Sequence, residues 1–253
     1  MSELDQEKRD QLHSDHGPEE IHARITGQDH DYLGDAILGA IDGGVTTFAV
    51  ITGAVGGGFG SEVVIILGFA KLFADAFSMG VSNFLRSRSQ QERIDDARTQ
   101  EKHHIRHIPE GERQEIRQIF AQKGFEGEIL EKIVETISDD EDQWVEIMLS
   151  EELGLPTEAP NPYFAAGSTF GAFLLIGLIP LLPFLVPQLN INQAAWVSGI
   201  ITGIAFLGVG VFKGIVLNRP VLSSGLQTLL TGGGAAGLSY LISHWLRNRF
   251  GIS

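Results

Sequence analysis

Five apolar runs of membrane-spanning length constrain the fold of this 253-residue chain more than any other feature. A helix needs about 20 apolar residues to cross the hydrocarbon core of a bilayer. The runs are Tyr32–Val55, Val63–Phe84, Phe164–Val186, Ala194–Leu217 and Val221–Leu246. They predict an all-α protein with five transmembrane spans that has the lipid bilayer as its surroundings.

Charge is segregated along the chain, which carries 18 Lys and Arg against 32 Asp and Glu and a net charge of −14. The acids concentrate in residues 1–31 and 86–158, whereas residues 164–246 are almost uncharged. We therefore predict a flexible polar tail (1–31), spans one and two (32–86), a helical insert (87–162) and spans three to five (163–253). The acidic balance predicts no nucleic-acid partner. The absence of cysteine excludes disulfides, thiolate metal sites and thiol catalysis.

The distribution of basic residues predicts the topology. The link between spans two and three holds ten Lys and Arg, beginning with Arg86 and Arg88. Since cytosolic loops are enriched in these residues, the amino terminus and the insert are expected in the cytosol. Arg247 and Arg249 oppose this assignment but are outnumbered. No eukaryotic sorting signal is evident, which favours a prokaryotic plasma membrane over a vacuolar one.

The insert is predicted to be a compact three-helix unit. Span two is expected to continue as one long helix to Ile108, because no helix breaker precedes Pro109. The three helices are then predicted at about 110–122, at Glu126–Ser138 with Ile129, Ile133 and Ile137 as its apolar stripe, and from an Asp139-Asp140 cap to Leu153. Such a unit is too short for a large independent core.

Three pairs of possible metal ligands in the insert stand at helical spacing, so each pair shares a helix face. The pairs are Glu101 with His104, Glu112 with Glu115, and Met148 with Glu152. If these faces meet, they form an acidic cage with one imidazole and one thioether, like the carboxylate sites of helical metal proteins. Acid-rich amphipathic helices also carry glutamate pairs on solvated faces, and spacing alone leaves both interpretations open.

Ionisable residues also stand inside the predicted spans. Asp42 lies in the first, and Lys71 and Asp75 lie in the second. Charged groups are costly in hydrocarbon and are retained where they face a partner, water or an ion. They predict a polar route through the membrane. Small residues at four-residue spacing, such as Gly39/Gly43 and Gly233/Gly237, predict close helix packing.

Five short strings in one order and spacing resemble the vacuolar iron transporter family over about residues 32–246. The strings are DGGVTTFA from Asp42, AFSMG ending at Gly80, PEGE from Pro109, Trp144 followed by MLSEELGL from Met148, and GLIPLLP from Gly177. The resemblance implies a five-span homodimer, not an enzyme, that exchanges cytosolic ferrous iron, and often manganese, for protons. Fe²⁺ and Mn²⁺ are then cargo, and no permanently bound cofactor is implied.

The resemblance also implies roles for individual residues. The ion path lies between the two protomers, near Asp42 and Met79. The metal ligands of the insert fall on Glu101, Glu112, Glu115, Met148 and Glu152, and His104 stands where eukaryotic members have a glutamate. These are the residues that helical spacing selects.

Lys71 departs from the family pattern, because it stands where those members carry a metal-binding glutamate in the membrane. Asp75 follows one turn later, where the family usually has a small residue. Our hypothesis is that Lys71 pairs with Asp75 or Asp42 and replaces part of the proton-coupling machinery. The alternative is that Lys71 extends to the membrane interface.

Two other functions compete with transport. One is a membrane-anchored metal-binding or regulatory protein, in which Lys71 blocks the path. The other is intramembrane aspartyl hydrolysis through Asp42 and Asp75, which we reject because the GxGD signature is absent.

Overall fold

The computed structural model describes residues 16–18, 21 and 32–251, and no strand occurs among them. The helices are α1 (Tyr32–Gly57), α2 (Ser61–His107), α3 (Pro109–Gln122), α4 (Gly127–Ser138), α5 (Glu141–Ile147), α6 (Pro162–Leu178), α7 (Ile191–Val216) and α8 (Val221–Phe250). A π-helical turn, Met148–Glu152, continues α5, and a 3₁₀ helix, Ile179–Leu185, continues α6. The predicted tail, 1–31, lies almost entirely outside the described residues.

Four helical segments are long and apolar enough to cross a membrane: α1, α2, α6 with its 3₁₀ continuation, and α7. Helix α8 has the length, with 30 residues, but it is rich in glycine and hydroxyl residues and is not among the four. The described residues are thus all-helical with four candidate membrane spans, and the count of five spans stays a prediction. The uninterrupted helix predicted from span two into the insert is confirmed, because α2 runs for 47 residues.

The described chain separates into two compact units. We call Tyr32–Arg93 with Pro160–Ser253 the membrane unit, and Ile94–Ala159 the insert unit. Helix α2 contributes residues to both.

Apolar side chains lie on the outside of the membrane unit, and small polar ones lie inside it. The most exposed apolar residues include Leu175, Trp196 and Leu222, whereas Thr47, Ser198, Thr202 and Thr228 are buried. Exposing such a broad apolar surface to water is unfavourable, whereas contact with lipid tails is not. Small and hydroxyl residues inside allow the helices to approach closely in a bilayer.

Glycines let α1 approach α6 at backbone distance. A Cβ atom added at Gly43 would lie 2.3 Å from the carbonyl oxygen of Phe173, and one at Gly39 would lie 2.4 Å from that of Thr169. Neither α-helical backbone can easily retreat from such a contact. The Gly39/Gly43 pair therefore packs as its spacing predicted, whereas nothing within the described residues lies within 4 Å of a Cβ atom at Gly233 or Gly237.

We expect Gly43→Ala to destabilise the membrane unit by about 1–3 kcal/mol, the usual cost of overpacking. The matched control is Gly171→Ala, which adds the same methyl group to α6 in open space. The control should be neutral or slightly stabilising, since alanine favours helix. Thermal unfolding of the detergent-solubilised variants measures both effects. Equal melting temperatures for the two would contradict the close approach.

The insert unit has an ordinary apolar core formed by the end of α2, by α3 to α5 and by the π-helical turn. Its buried residues are Ile105, Ile116, Leu130, Val134, Ile137, Trp144, Val145, Met148 and Leu149. The predicted stripe of α4 is wrong in part, because Ile129 is exposed and Ile133 is only partly buried. The buried face is Leu130, Val134 and Ile137, which follows the alternating four- and three-residue spacing of a helix face.

Candidate metal centre

Glu101, His104 and Glu112, which we call the insert triad, meet within the insert unit. Each offers a ligand atom within 4.8 Å of the others. His104 Nδ1 lies 3.5 Å from Glu112 Oε1 and 4.0 Å from Glu101 Oε1. One turn of α2 places Glu101 beside His104, and Pro109 begins α3 so that Glu112 falls in its first turn. Sequence spacing predicted the first pair, and the structure adds Glu112 to it.

Both carboxylates of the insert triad are buried with an unsatisfied oxygen. Glu101 is 3% exposed and Glu112 is 1% exposed. Within the described residues, Oε2 of each has no hydrogen-bond partner. A buried carboxylate is unfavourable unless a proton or a cation neutralises it. This pair of unsatisfied oxygens therefore indicates a place for a positive charge.

Nearby basic side chains do not supply that charge, because they pair with other acids. Arg98, Lys102 and Arg106 recur every four residues on α2 and reach across to α5. They bind Glu146, Asp142 and Glu141, with nitrogen–oxygen distances of 3.0, 2.8 and 2.7 Å. Among the described residues, no Lys or Arg forms an ion pair with the insert triad. No basic side chain of the described residues therefore offsets the negative charge of Glu101 on α2 and Glu112 on α3.

Burial raises the pKa of Glu112 to about 7, and the charges of Glu115 and Glu101 add to the effect. Burial also raises the pKa of Glu101, with an opposing contribution from His104 and a further rise from Glu115. The pKa of Glu152 is raised by partial desolvation of its carboxyl group and then by Glu115 and Glu101, with an opposing contribution from His104. All the predicted carboxylate ligands therefore lie within electrostatic reach of one another, and Glu112 exchanges its proton near neutral pH.

The remaining predicted ligands lie outside the insert triad. Glu115 is half-buried on α3, and Glu152 is exposed at the end of the π-helical turn. Met148 is fully buried in the apolar core, where a thioether fills space well. The roles of these three residues as ligands stay predictions.

The π-helical turn that carries Met148 and Glu152 was not predicted. Leu153 N donates to the carbonyl oxygen of Met148 at 3.1 Å, five residues earlier instead of four. The turn is therefore wider than an α-helical turn, and the two side chains are not related by the α-helical spacing from which we paired them. Such turns are rare and are frequently found at functional sites.

In the membrane unit, Lys71 Nζ forms an ion pair with Asp75 Oδ2 one turn along α2. The charges of both residues act on the carboxyl of Asp42 on α1. The pairing in our hypothesis for Lys71 therefore agrees with the structure, and its role in proton coupling remains a hypothesis.

Met79 lines a cavity of about 410 Å³ in the membrane unit, together with Asp35, Asn83 and Arg86. Asn83 is buried and accepts from Arg86 Nη2 at 2.8 Å, while Arg86 Nη2 also binds Asp35 Oδ1 at 3.0 Å. Asn83 Nδ2 donates to Thr169 Oγ1 at 2.7 Å, which joins α2 to α6. We did not single out Asn83 and Thr169 from the sequence. The available signal was an amide one turn after Met79 within an apolar run.

Comparison with known proteins agrees with this architecture. The sequence profile of the VIT family matches residues 33–244. A vacuolar iron transporter of Plasmodium berghei (strain Anka) is 31% identical over 258 residues, covering 98% of this chain and 94% of the relative. Vacuolar iron transporters of Centaurea cyanus and Arabidopsis thaliana are 34% and 32% identical, over 81% and 83% of this chain and 84% of each relative. These names describe transporters and not enzymes.

The family match begins at the start of α1, ends within α8 and includes every candidate site residue of both units. It covers far more than half of the chain, and the chain belongs to the VIT family.

Proposed function

We propose that this protein carries ferrous iron, and manganese as a second cargo, out of the cytosol in exchange for protons. The observation that carries the proposal is the insert triad, with two buried carboxylate oxygens that have no partner among the described residues. Carboxylate and imidazole are suitable ligands for Fe²⁺ and Mn²⁺. The names of the relatives support iron as the cargo.

The chemistry required of the insert is reversible capture. An ion that binds the insert triad displaces a proton from any carboxyl that is protonated, so binding and proton release are linked. Glu112 exchanges protons near neutral pH, and the neighbouring acids concentrate cations by their negative field. We place the insert in the cytosol, so the captured ions come from there.

Passage through the membrane is assigned to Asp42 and Met79, with Lys71 and Asp75 beside them. A carboxylate and a polarizable thioether can hold a divalent ion weakly enough to release it. We propose a homodimer with the path between protomers, and a prokaryotic plasma membrane as its location. The open surface in front of Gly233 and Gly237 offers a small-residue face on which a second copy could pack.

The test is flux of Fe²⁺ and Mn²⁺ into proteoliposomes with and without an imposed pH gradient. We expect flux of both ions that is accelerated by the gradient. Absence of flux from well-folded protein, with metal still bound by the insert, would overturn transport.

The second candidate is a membrane-anchored metal-binding or regulatory protein, and the ion pair of Lys71 with Asp75 favours it. In this function the paired lysine blocks the path and takes up the Asp75 carboxylate that a divalent metal would otherwise use. This function requires the insert triad to bind metal without flux, which is the contrary outcome of the same test.

Lys71→Glu separates a coupling role from a structural one. The substitution replaces a cation near Asp42 by an anion, and such a change usually shifts proton affinities by about 1–3 pH units. We expect the pH profile of metal flux to move to higher pH by at least about one unit. Lys213→Glu, at the end of α7, makes the same change in net charge and should leave the profile in place. An unchanged profile in Lys71→Glu removes Lys71 from the coupling machinery.

A further inference from the structure

The end of α2 presents three imidazoles in a row that leads from solvent toward the insert triad. His103 and His107 are exposed, and their rings stack with centroids 4.1 Å apart and planes 24° apart. The ring of His103 lies 6.3 Å from that of His104. His104 in turn contacts Glu101 and Glu112, which are buried. The sequence analysis gave no role to His103 or His107.

The two exposed imidazoles stand at the spacing of a chelating pair. They are four residues apart on one helix face, the spacing by which helices present two histidines to a single metal ion. Their rings are stacked in the structure, so the His103 ring must rotate for both Nε2 atoms to point at one ion. His107 Nδ1 lies 2.8 Å from the carbonyl oxygen of His103. Because a carbonyl can only accept, Nδ1 donates in this contact, and Nε2 is the ring nitrogen that is left for a ligand bond. A backbone hydrogen bond of this kind also orients a metal-binding histidine.

The surrounding charges do not oppose a bound cation. Lys102 and Arg106, the basic residues that flank this part of α2, pair with Asp142 and Glu141 of α5. The two acids neutralise them across the helix interface. His104, the imidazole of the triad, follows His103 on α2 and contacts the two triad acids.

We propose that His103 and His107 form a second divalent-metal site, on the surface of the insert unit and separate from the insert triad. Two imidazoles and no carboxylate prefer later first-row ions such as Ni²⁺, Cu²⁺ and Zn²⁺, and hold Mn²⁺ poorly. The site lies beside the imidazole of the triad, and its use as an entrance to the triad rests on the function proposed above. Binding at the pair itself is independent of that function.

The experiment is a Ni²⁺ titration of the full-length chain in detergent, purified through a tag that contains no histidine. A Glu101→Gln/Glu112→Gln background disables the insert triad. We expect His103→Ala/His107→Ala to remove one equivalent of bound Ni²⁺ per chain from this background. His244→Ala, which removes an exposed histidine of α8, is the control and should remove none.

Folding should survive these changes, since both residues are exposed and alanine is the best helix former. Helical circular dichroism checks this directly. Unchanged Ni²⁺ stoichiometry in the double variant, or an equal loss in His244→Ala, would overturn the proposal. Mn²⁺ binding to the chain with an intact triad is measured in parallel. Its absence would count against the proposed function and leave the Ni²⁺ result to decide the surface site.

Discussion

Asp42→Asn is expected to reduce metal flux to the level of protein-free vesicles. The substitution keeps the size of the side chain and removes its charge, so the change acts on ion binding more than on packing. Asp42 lies within the first span and interacts electrostatically with Lys71 and Asp75. Without the carboxylate, the ion pair leaves no net negative charge there to attract a divalent ion, which loses its hydration without compensation.

The measurement is Fe²⁺ and Mn²⁺ entry into proteoliposomes under a pH gradient, with equal amounts of folded protein. Glu62→Gln is the matched control, because it removes an exposed carboxylate from the first turn of α2 and should leave flux intact. Flux that persists in Asp42→Asn would exclude Asp42 from the path. Equal losses in both variants would point to a general effect of charge on the protein.

Glu112→Gln is expected to weaken metal binding by the insert and to flatten its dependence on pH. Loss of a ligand should lower the metal affinity by at least the roughly tenfold to hundredfold that is lost when an outer-shell partner is removed. In the unsubstituted chain the pKa of Glu112 is raised to about 7, chiefly by burial. Below that pH an incoming ion must displace its proton, so affinity should rise about tenfold per pH unit up to about pH 7. Glutamine has no proton to displace.

The stability of the metal-free protein should depend on pH in the opposite direction, falling as pH rises. Since the pKa of Glu112 is raised from 4.5 when folded, the native state holds this proton more firmly than the unfolded state. The stabilisation is complete below pH 4.5 and is lost as pH rises through about 7, by at most on the order of 3 kcal/mol. Bound metal replaces the proton, so its stabilising effect should be largest above pH 7.

Isothermal titration calorimetry with Mn²⁺ measures the binding between about pH 5.5 and 8. The pH values are about half a unit apart, so that they bracket the expected midpoint. Thermal unfolding with and without metal measures the stability. Glu110→Gln is the control, since Glu110 is an exposed acid in the same turn of α3. A pH slope that survives in Glu112→Gln would assign the displaced proton to another group.

Sequence reasoning predicted the elements that depend on hydropathy and helix breakers. The apolar runs became helices, Pro109 separated α2 from α3, and Asp140 caps α5 by accepting from Asp142 N and Gln143 N. These features are local, because each is fixed by a few neighbouring residues. Candidate ligands could also be predicted from the sequence, since helical spacing puts Glu101 beside His104.

Features that depend on packing were not predictable from spacing. The π-helical turn at Met148–Glu152 changes which side chains share a face. Its amino-acid composition does not predict a backbone hydrogen bond to the carbonyl five residues earlier. The buried face of α4 is set by its contacts with the core, so Ile129 could be misassigned. The unsatisfied oxygens of Glu101 and Glu112 likewise arise from the meeting of two helices.

The ion pair between Lys71 and Asp75 has an electrical consequence. The pair is neutral, so of these three side chains Asp42 alone contributes net charge to the proposed path. A divalent ion held beside Asp42 therefore gives the site one net positive charge. A site with two carboxylates and no lysine would be neutral once the ion is bound. Moving one charge across 100 mV changes its free energy by about 2.3 kcal/mol. Turnover of this protein should therefore respond to membrane voltage, and an interior-negative potential would oppose the outward step.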